Sequence, residues 1–259
     1  MGSLRLILAL SVVFWHIPKH PFVLFNGGIA VEAFFIISGF YMAFVINDKY
    51  SRLNESSWVS VFYLSRILRL APAYLLICFV EGLLYLKSGT PNIFSANDLS
   101  IQARGALLFM NMFIVGQDMW QTILTHAETN IPNQFIQSVF TFFGANAFSQ
   151  IYLYIGQAWS LGIEIIFYLL APFVVLSKKR VLISFVARLL IRLYFFEHSD
   201  FYPNAPWRSR FFASNLPFFF LGTASYWIYV HAQTRKHSKK VGLALMYSKM
   251  SCVASARVA

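Results

Sequence analysis

Charge is scarce in this chain. Only 12% of its 259 residues are charged, and just ten of them are acidic, where a soluble domain carries about 25%. That shortfall excludes an ordinary water-soluble globule. Cysteine is nearly absent: Cys78 sits inside an apolar block and Cys252 near the end. Two residues so placed make neither a disulfide framework nor a cysteine metal or redox centre, and no metal is expected. No internal repeat, low-complexity tract or soluble domain interrupts the chain. The formal net charge of +11 comes without any motif that reads RNA or DNA, so nucleic acid is not expected as a partner. The basic residues instead gather in short clusters at the ends of apolar blocks: Arg66 and Arg69, Lys178 to Arg180, Arg235 to Lys240.

Apolar and aromatic residues fill the space that charge leaves. They make up 58% and 18% of the chain, and the mean hydropathy is +0.60. The blocks approach the roughly 20 residues that a helix needs to cross a hydrocarbon layer. An open sheet cannot satisfy its backbone in lipid, so the expected fold is all-α. It is a polytopic transmembrane helical bundle of about eight spans, or about six if two weak segments do not cross. The candidate spans are 4–17, 28–47, 70–87, 105–117, 136–155, 159–177, 181–197 and 211–231. The apolar run at the N-terminus is broken by Trp15, His16 and Pro18 and has no small-residue cleavage site behind it. It reads as a first span that stays, not as a cleaved signal.

Positive charge orders the sides. Lys49, Arg52, Arg66 and Arg69 put the stretch after the second span in the cytoplasm. The N-terminus is then cytoplasmic too, and residues 18–27 face outside. Lys178, Lys179 and Arg180 agree with this threading, as do Arg235, Lys236, Lys239 and Lys240. Residues 1–231 form the expected membrane-embedded domain. Residues 232–259, basic and then small and mixed, read as an unstructured cytoplasmic tail.

An ionisable residue within a span points to function, because its burial costs a few kcal/mol or more. Arg5 and His16 are eleven positions apart, about 20° past three full turns, so they share one helix stripe with about 16 Å between them. Arg5 can snorkel to the cytoplasmic rim, while His16 lies near the other end, where imidazole is the usual general base. The plainer alternative is an arginine anchor and a histidine bonded to a neighbouring helix. Glu32 reaches the same outer depth and could orient the imidazole as the acid of a Ser-His-Asp set does. Glu164 lies about one turn below the outer face, so two acids and a histidine are expected to converge. For both acids the alternative is a structural pairing between helices. Arg66 and Arg69, three apart on one face at the cytoplasmic rim, could grip phosphates or merely anchor the helix. Arg188 and Arg192 lie four apart within a span and either line a polar cavity or pair with an acid such as Glu164. Ser38-Gly39 lets another helix approach closely.

In order, Arg5-(ten residues)-His16, then Gly28 to Phe40 with Glu32 and Ser38-Gly39, then Arg66-Ile67-Leu68-Arg69-Leu70-Ala71-Pro72, then Trp159-Ser160-Leu161-Gly162-Ile163-Glu164-Ile165-Ile166-Phe167-Tyr168 resemble acyltransferase family 3. The stretch Leu216 to Gly222 also looks like that family of multispanning membrane proteins. The resemblance implies an enzyme that takes an acyl group, commonly acetyl, from cytoplasmic acyl-CoA. It passes the group to a hydroxyl of a cell-surface or exported glycan, or of a lipid-linked sugar. It implies His16 as the catalytic residue with Arg5 as its motif partner, Arg66 and Arg69 as the acyl-CoA contacts, and Glu32 and Glu164 as acidic motif positions. Acetyl-CoA is then a substrate, no metal is involved, and a bacterial inner membrane is the commonest home. The family pattern has about ten spans, so the last ones are expected to be missing here. An inactive shortened member is therefore one alternative. A transporter or flippase for an anionic substrate is the other, although no repeat supports it. The sequence points to no particular oligomer.

Overall fold

The computed structural model describes residues 2–18, 22, 24–50, 58–88, 100–120, 155–198 and 210–255. All its principal elements are helical: α1 (Gly2–Trp15), α2 (Gly27–Asp48), α3 (Trp58–Ser88), α4 (Ile101–Phe113), a 3-10 turn (Gly156–Ala158) leading into α5 (Trp159–Val174), α6 (Lys178–His198) and α7 (Phe212–Ser255). Local chemistry sets several ends. The Asn26 side chain accepts from the Gly28 N–H at 2.9 Å and opens α2, and Ser100 does the same for α4 through Ala103; both are N-caps. α4 stops where Ile114 turns left-handed at φ 67°, followed by Gly116 at φ 88°.

Three helices among the described residues are long and apolar enough to cross a membrane, over Gly27–Asp48, Trp58–Leu84 and Gly156–Val174. α1 is apolar but shorter. The described residues therefore do not confirm a count of about eight spans. The expected span 136–155 lies, apart from Ile155, outside the described residues. Two boundaries move. α3 begins well before residue 70, so Arg66 and Arg69 lie within the helix and Pro72 is inside it. α7 continues to Ser255, so its backbone is helical through most of the stretch expected to be an unstructured tail.

The bundle is organised around α2. It packs most extensively on α7, then on α1 and α5, while α7 also packs along α6. The crossing of α2 and α7 is made by two glycines. A Cβ on Gly39 would lie 2.0 Å from the Phe219 carbonyl oxygen, and one on Gly222 would lie 1.9 Å from that of Ile36. Missing side chains are what bring the two backbones together. Thr223 Oγ1 uses the closeness to donate to the Gly39 carbonyl oxygen at 3.3 Å. Phe219 stacks between Phe35 and Phe167, at centroid distances of 4.6 and 4.3 Å, so α2, α5 and α7 share one aromatic centre. α3 stands apart: only 6% of its apolar window is buried, and it touches the bundle mainly along α5.

Candidate active site

α1 ends at Trp15, and the chain's first candidate base stands one residue later. The His16 N–H bonds the Val13 carbonyl oxygen at 3.1 Å, a tighter closure than the α-helical one. The Val12 carbonyl oxygen, an orphan of the helix end, is left for the imidazole, whose Nδ1 lies 2.7 Å away. A carbonyl oxygen only accepts, so Nδ1 carries the proton in that bond. In the neutral ring Nε2 then holds the lone pair a general base needs.

His16 lines a cavity of about 310 Å³ together with Trp15, Glu32, Trp159, Ser160 and Arg210, among others. The turn that closes α1 contributes the base, α2 the carboxylate and the start of α5 another part of the wall. Glu32 shares the cavity with His16, but it does not orient the ring. Its Oε1 accepts from Arg192 Nη2 at 3.1 Å, and the ring is already held by Val12. Arg192 in turn donates through Nη1 to the Ser214 carbonyl oxygen at 2.7 Å and lies 4.7 Å from the Phe218 ring centroid. Of the two alternatives left open for Arg192, it pairs with an acid, and that acid is Glu32, not Glu164. Arg188 is half-buried on the same helix and is not among the residues lining this cavity.

Glu164 does not converge on the cavity. α5 begins at Trp159, so Trp159 and Ser160 meet the cavity and position 164 falls about 6 Å further along the axis. There Glu164 Oε1 accepts from Ser38 Oγ at 3.1 Å and from the Tyr168 hydroxyl. Ser38 Oγ accepts from Arg5 Nη2 at 2.6 Å. Arg5 thus reaches into the bundle and does not snorkel to a rim. Its guanidinium lies 5.3 Å from both the Phe34 and Tyr41 ring centroids, and its Nε is buried with no hydrogen-bond partner among the described residues. Arg5 bonds Ser38 in the middle of α2, while His16 shares its cavity with Gly28 and Glu32 near the start of that helix.

Arg66 lines a second, mainly apolar cavity of about 430 Å³ between α3, the end of α4 and α5. Its guanidinium stands between two rings, 5.5 Å from Phe62 and 5.8 Å from Tyr168. Its Nε is buried without a hydrogen-bond partner among the described residues. Arg69 is exposed and does not line this cavity, so the two arginines share a helix face without forming one clamp. Among the described residues no three His, Cys, Asp or Glu side chains gather into a metal-holding group.

Sequence reasoning missed three participants. Ser38 reads as a packing residue but bridges Arg5 to Glu164. Tyr168 stands four residues after Glu164, a spacing that places both on one helix face, and that signal was available. Arg210 lines the His16 cavity and carries no local signal at all. Replacing Ser38 with alanine is expected to destabilise the protein by about 1–3 kcal/mol, because Arg5 and Glu164 lose a shared buried partner. Thermal unfolding of detergent-solubilised protein measures it.

A family model described as an acyltransferase domain matches residues 2–254, nearly the whole chain. No curated protein and no solved structure matches it.

Proposed function

Since the chain belongs to the acyltransferase-domain family, we propose that it is a membrane O-acyltransferase moving an acyl group, acetyl in the simplest case, from acyl-CoA to a glycan hydroxyl. The acceptor is a cell-surface or exported glycan or a lipid-linked sugar. The setting is a bacterial inner membrane with both termini cytoplasmic, as the basic clusters favour. The observation that carries the reading is His16, tied through Nδ1 to Val12 at 2.7 Å in the wall of a cavity large enough for a small ligand.

In this reading Nε2 of His16 takes the proton of the acceptor hydroxyl as its oxygen attacks the thioester carbonyl. The tetrahedral intermediate collapses with cleavage of the carbon–sulfur bond, and the coenzyme A thiolate leaves with the proton that the imidazolium returns. Glu32 stands in the same cavity as the transient imidazolium, and Arg192 keeps that carboxylate in place. The N-terminal end of α5, at Trp159 and Ser160 on the cavity wall, offers backbone dipoles to the developing oxyanion. Arg66, with Arg69 nearby, meets the donor's phosphates. Along α5 the first cavity reaches Ser160 and the second begins at Ile165, about 7 Å further along the axis, a gap for the donor's extended arm to bridge. Arg5, Ser38 and Glu164 hold α1, α2 and α5 in register between the two ends.

The test is expression of this chain in cells lacking their own surface O-acetylation, with O-acetyl groups on purified polysaccharide read by NMR. Blotting of membranes confirms insertion. An O-acetyl signal that depends on the chain is the expected result. An inserted chain that moves a substrate across the membrane without a covalent product would support the transporter reading instead.

A further inference from the structure

Among the described residues, Tyr168 joins the Glu164–Ser38–Arg5 chain to the cavity that holds Arg66. Its hydroxyl donates to Glu164 Oε1, the oxygen that also accepts from Ser38 at 3.1 Å. Through Ser38 the link continues to Arg5 at 2.6 Å, on the helix that ends one residue before His16. The ring's face lies 5.8 Å from the Arg66 guanidinium, and Tyr168 forms part of the same cavity wall as Arg66. The residue is buried, at 4% exposure, so neither contact is an incidental surface one. A cation held between two aromatic faces is positioned without being neutralised. It keeps its charge for an anion.

We propose that Tyr168 is a positioning residue with two separable duties. Its ring holds Arg66 ready for the donor's phosphate, and its hydroxyl ties that end to the Arg5–Ser38–Glu164 chain that sets α1, and so His16, against α2 and α5. The inference rests on the acyl-CoA reading above. It adds that donor anchoring and catalytic alignment meet in one side chain. Phenylalanine at this position keeps the ring and removes the hydroxyl; leucine removes both.

The test compares purified full-length chain, Tyr168→Phe and Tyr168→Leu in detergent. Coenzyme A binding is measured directly by calorimetry, and steady-state transfer is measured separately. For Tyr168→Phe, kcat is expected to fall about tenfold, the scale of a lost hydrogen bond to a charged group, with coenzyme A affinity and donor KM unchanged. For Tyr168→Leu, the same fall in kcat is joined by a several-fold weaker coenzyme A affinity and a higher donor KM. Equal effects of the two variants on kcat and affinity, or a Tyr168→Phe enzyme with parental kcat, would overturn the proposal. Phenylalanine's recovery of affinity cannot come from a merely structural role. Failure of the parent chain to bind coenzyme A at all would instead sink the donor reading on which the proposal rests, so the two failures are distinguishable.

Discussion

Acyl transfer by the His16→Ala variant is expected to fall by about 10²- to 10⁴-fold, the usual contribution of a positioned general base. The size of the effect follows from the tautomer. With Nδ1 committed to the Val12 carbonyl oxygen at 2.7 Å, Nε2 is the ring atom left to take a proton, and among the described residues no other histidine lines this cavity. Glu32 does not substitute, because its carboxylate is already paired with Arg192 at 3.1 Å. The fold should not notice the change. His16 is exposed, and its side-chain bond among the described residues is local, worth about 1 kcal/mol. The rate of O-acyl formation on the acceptor is therefore read beside membrane insertion and the gel-filtration profile of extracted protein. A rate within threefold of the parent, from equally abundant protein, would remove His16 from the mechanism.

The second large effect concerns folding. Gly222→Val is expected to abolish recovery of monodisperse protein, with a destabilisation on the order of 4 kcal/mol or more, the range reserved for overpacked or broken cores. At Gly222 the obstacle is backbone: a Cβ would sit 1.9 Å from the Ile36 carbonyl oxygen and 2.8 Å from the Phe40 nitrogen. No rotamer change relieves that. α2 and α7 would have to separate, breaking the Thr223 bond to Gly39 and opening the Phe35–Phe219–Phe167 stack. Gly39→Val should fail in the same way, since its Cβ would meet the Phe219 carbonyl oxygen at 2.0 Å. Gly82→Ala is the matched control: nothing lies within 4 Å of its added Cβ. Relief from glycine in a helix interior should leave that variant unchanged or about 1 kcal/mol more stable. Thermal unfolding of detergent-extracted protein separates these outcomes. A well-folded Gly222→Val chain would show that the α2–α7 crossing is looser than its geometry requires.

Much of the candidate site was legible because polar groups stand out against an apolar background. Arg5, His16, Glu32, Arg66, Glu164 and Arg192 all drew attention as costly residues in hydrophobic runs. Their partners were not legible. Glu32 is paired with a residue 160 positions away, and Ser38 bonds Glu164 across 126. Local spacing places two side chains on one face of one helix. It is silent on which neighbouring helix that face meets, or how deep. The split between Glu32 in the cavity and Glu164 below it came from where α5 starts. Neither residue's own neighbours in sequence betray that.

What the sequence determined by itself is class and inventory: a helical membrane protein of the acyltransferase-domain family, with α2, the apolar body of α3 and α5 visible as long apolar runs carrying few charges. Those properties sum along the chain, residue by residue, so hydropathy and order suffice to read them. The tertiary structure decided everything that depends on rotation and register between helices. It gave Glu32 to Arg192, drew Arg5 inward to Ser38 and Glu164, and set Tyr168 between Glu164 and Arg66. It also brought two glycines, far apart in sequence, into one crossing. Lipid offers little hydrophobic preference for one helix face over another. Close backbone approach and buried hydrogen bonds therefore select the arrangement, and both exist only once the helices have met.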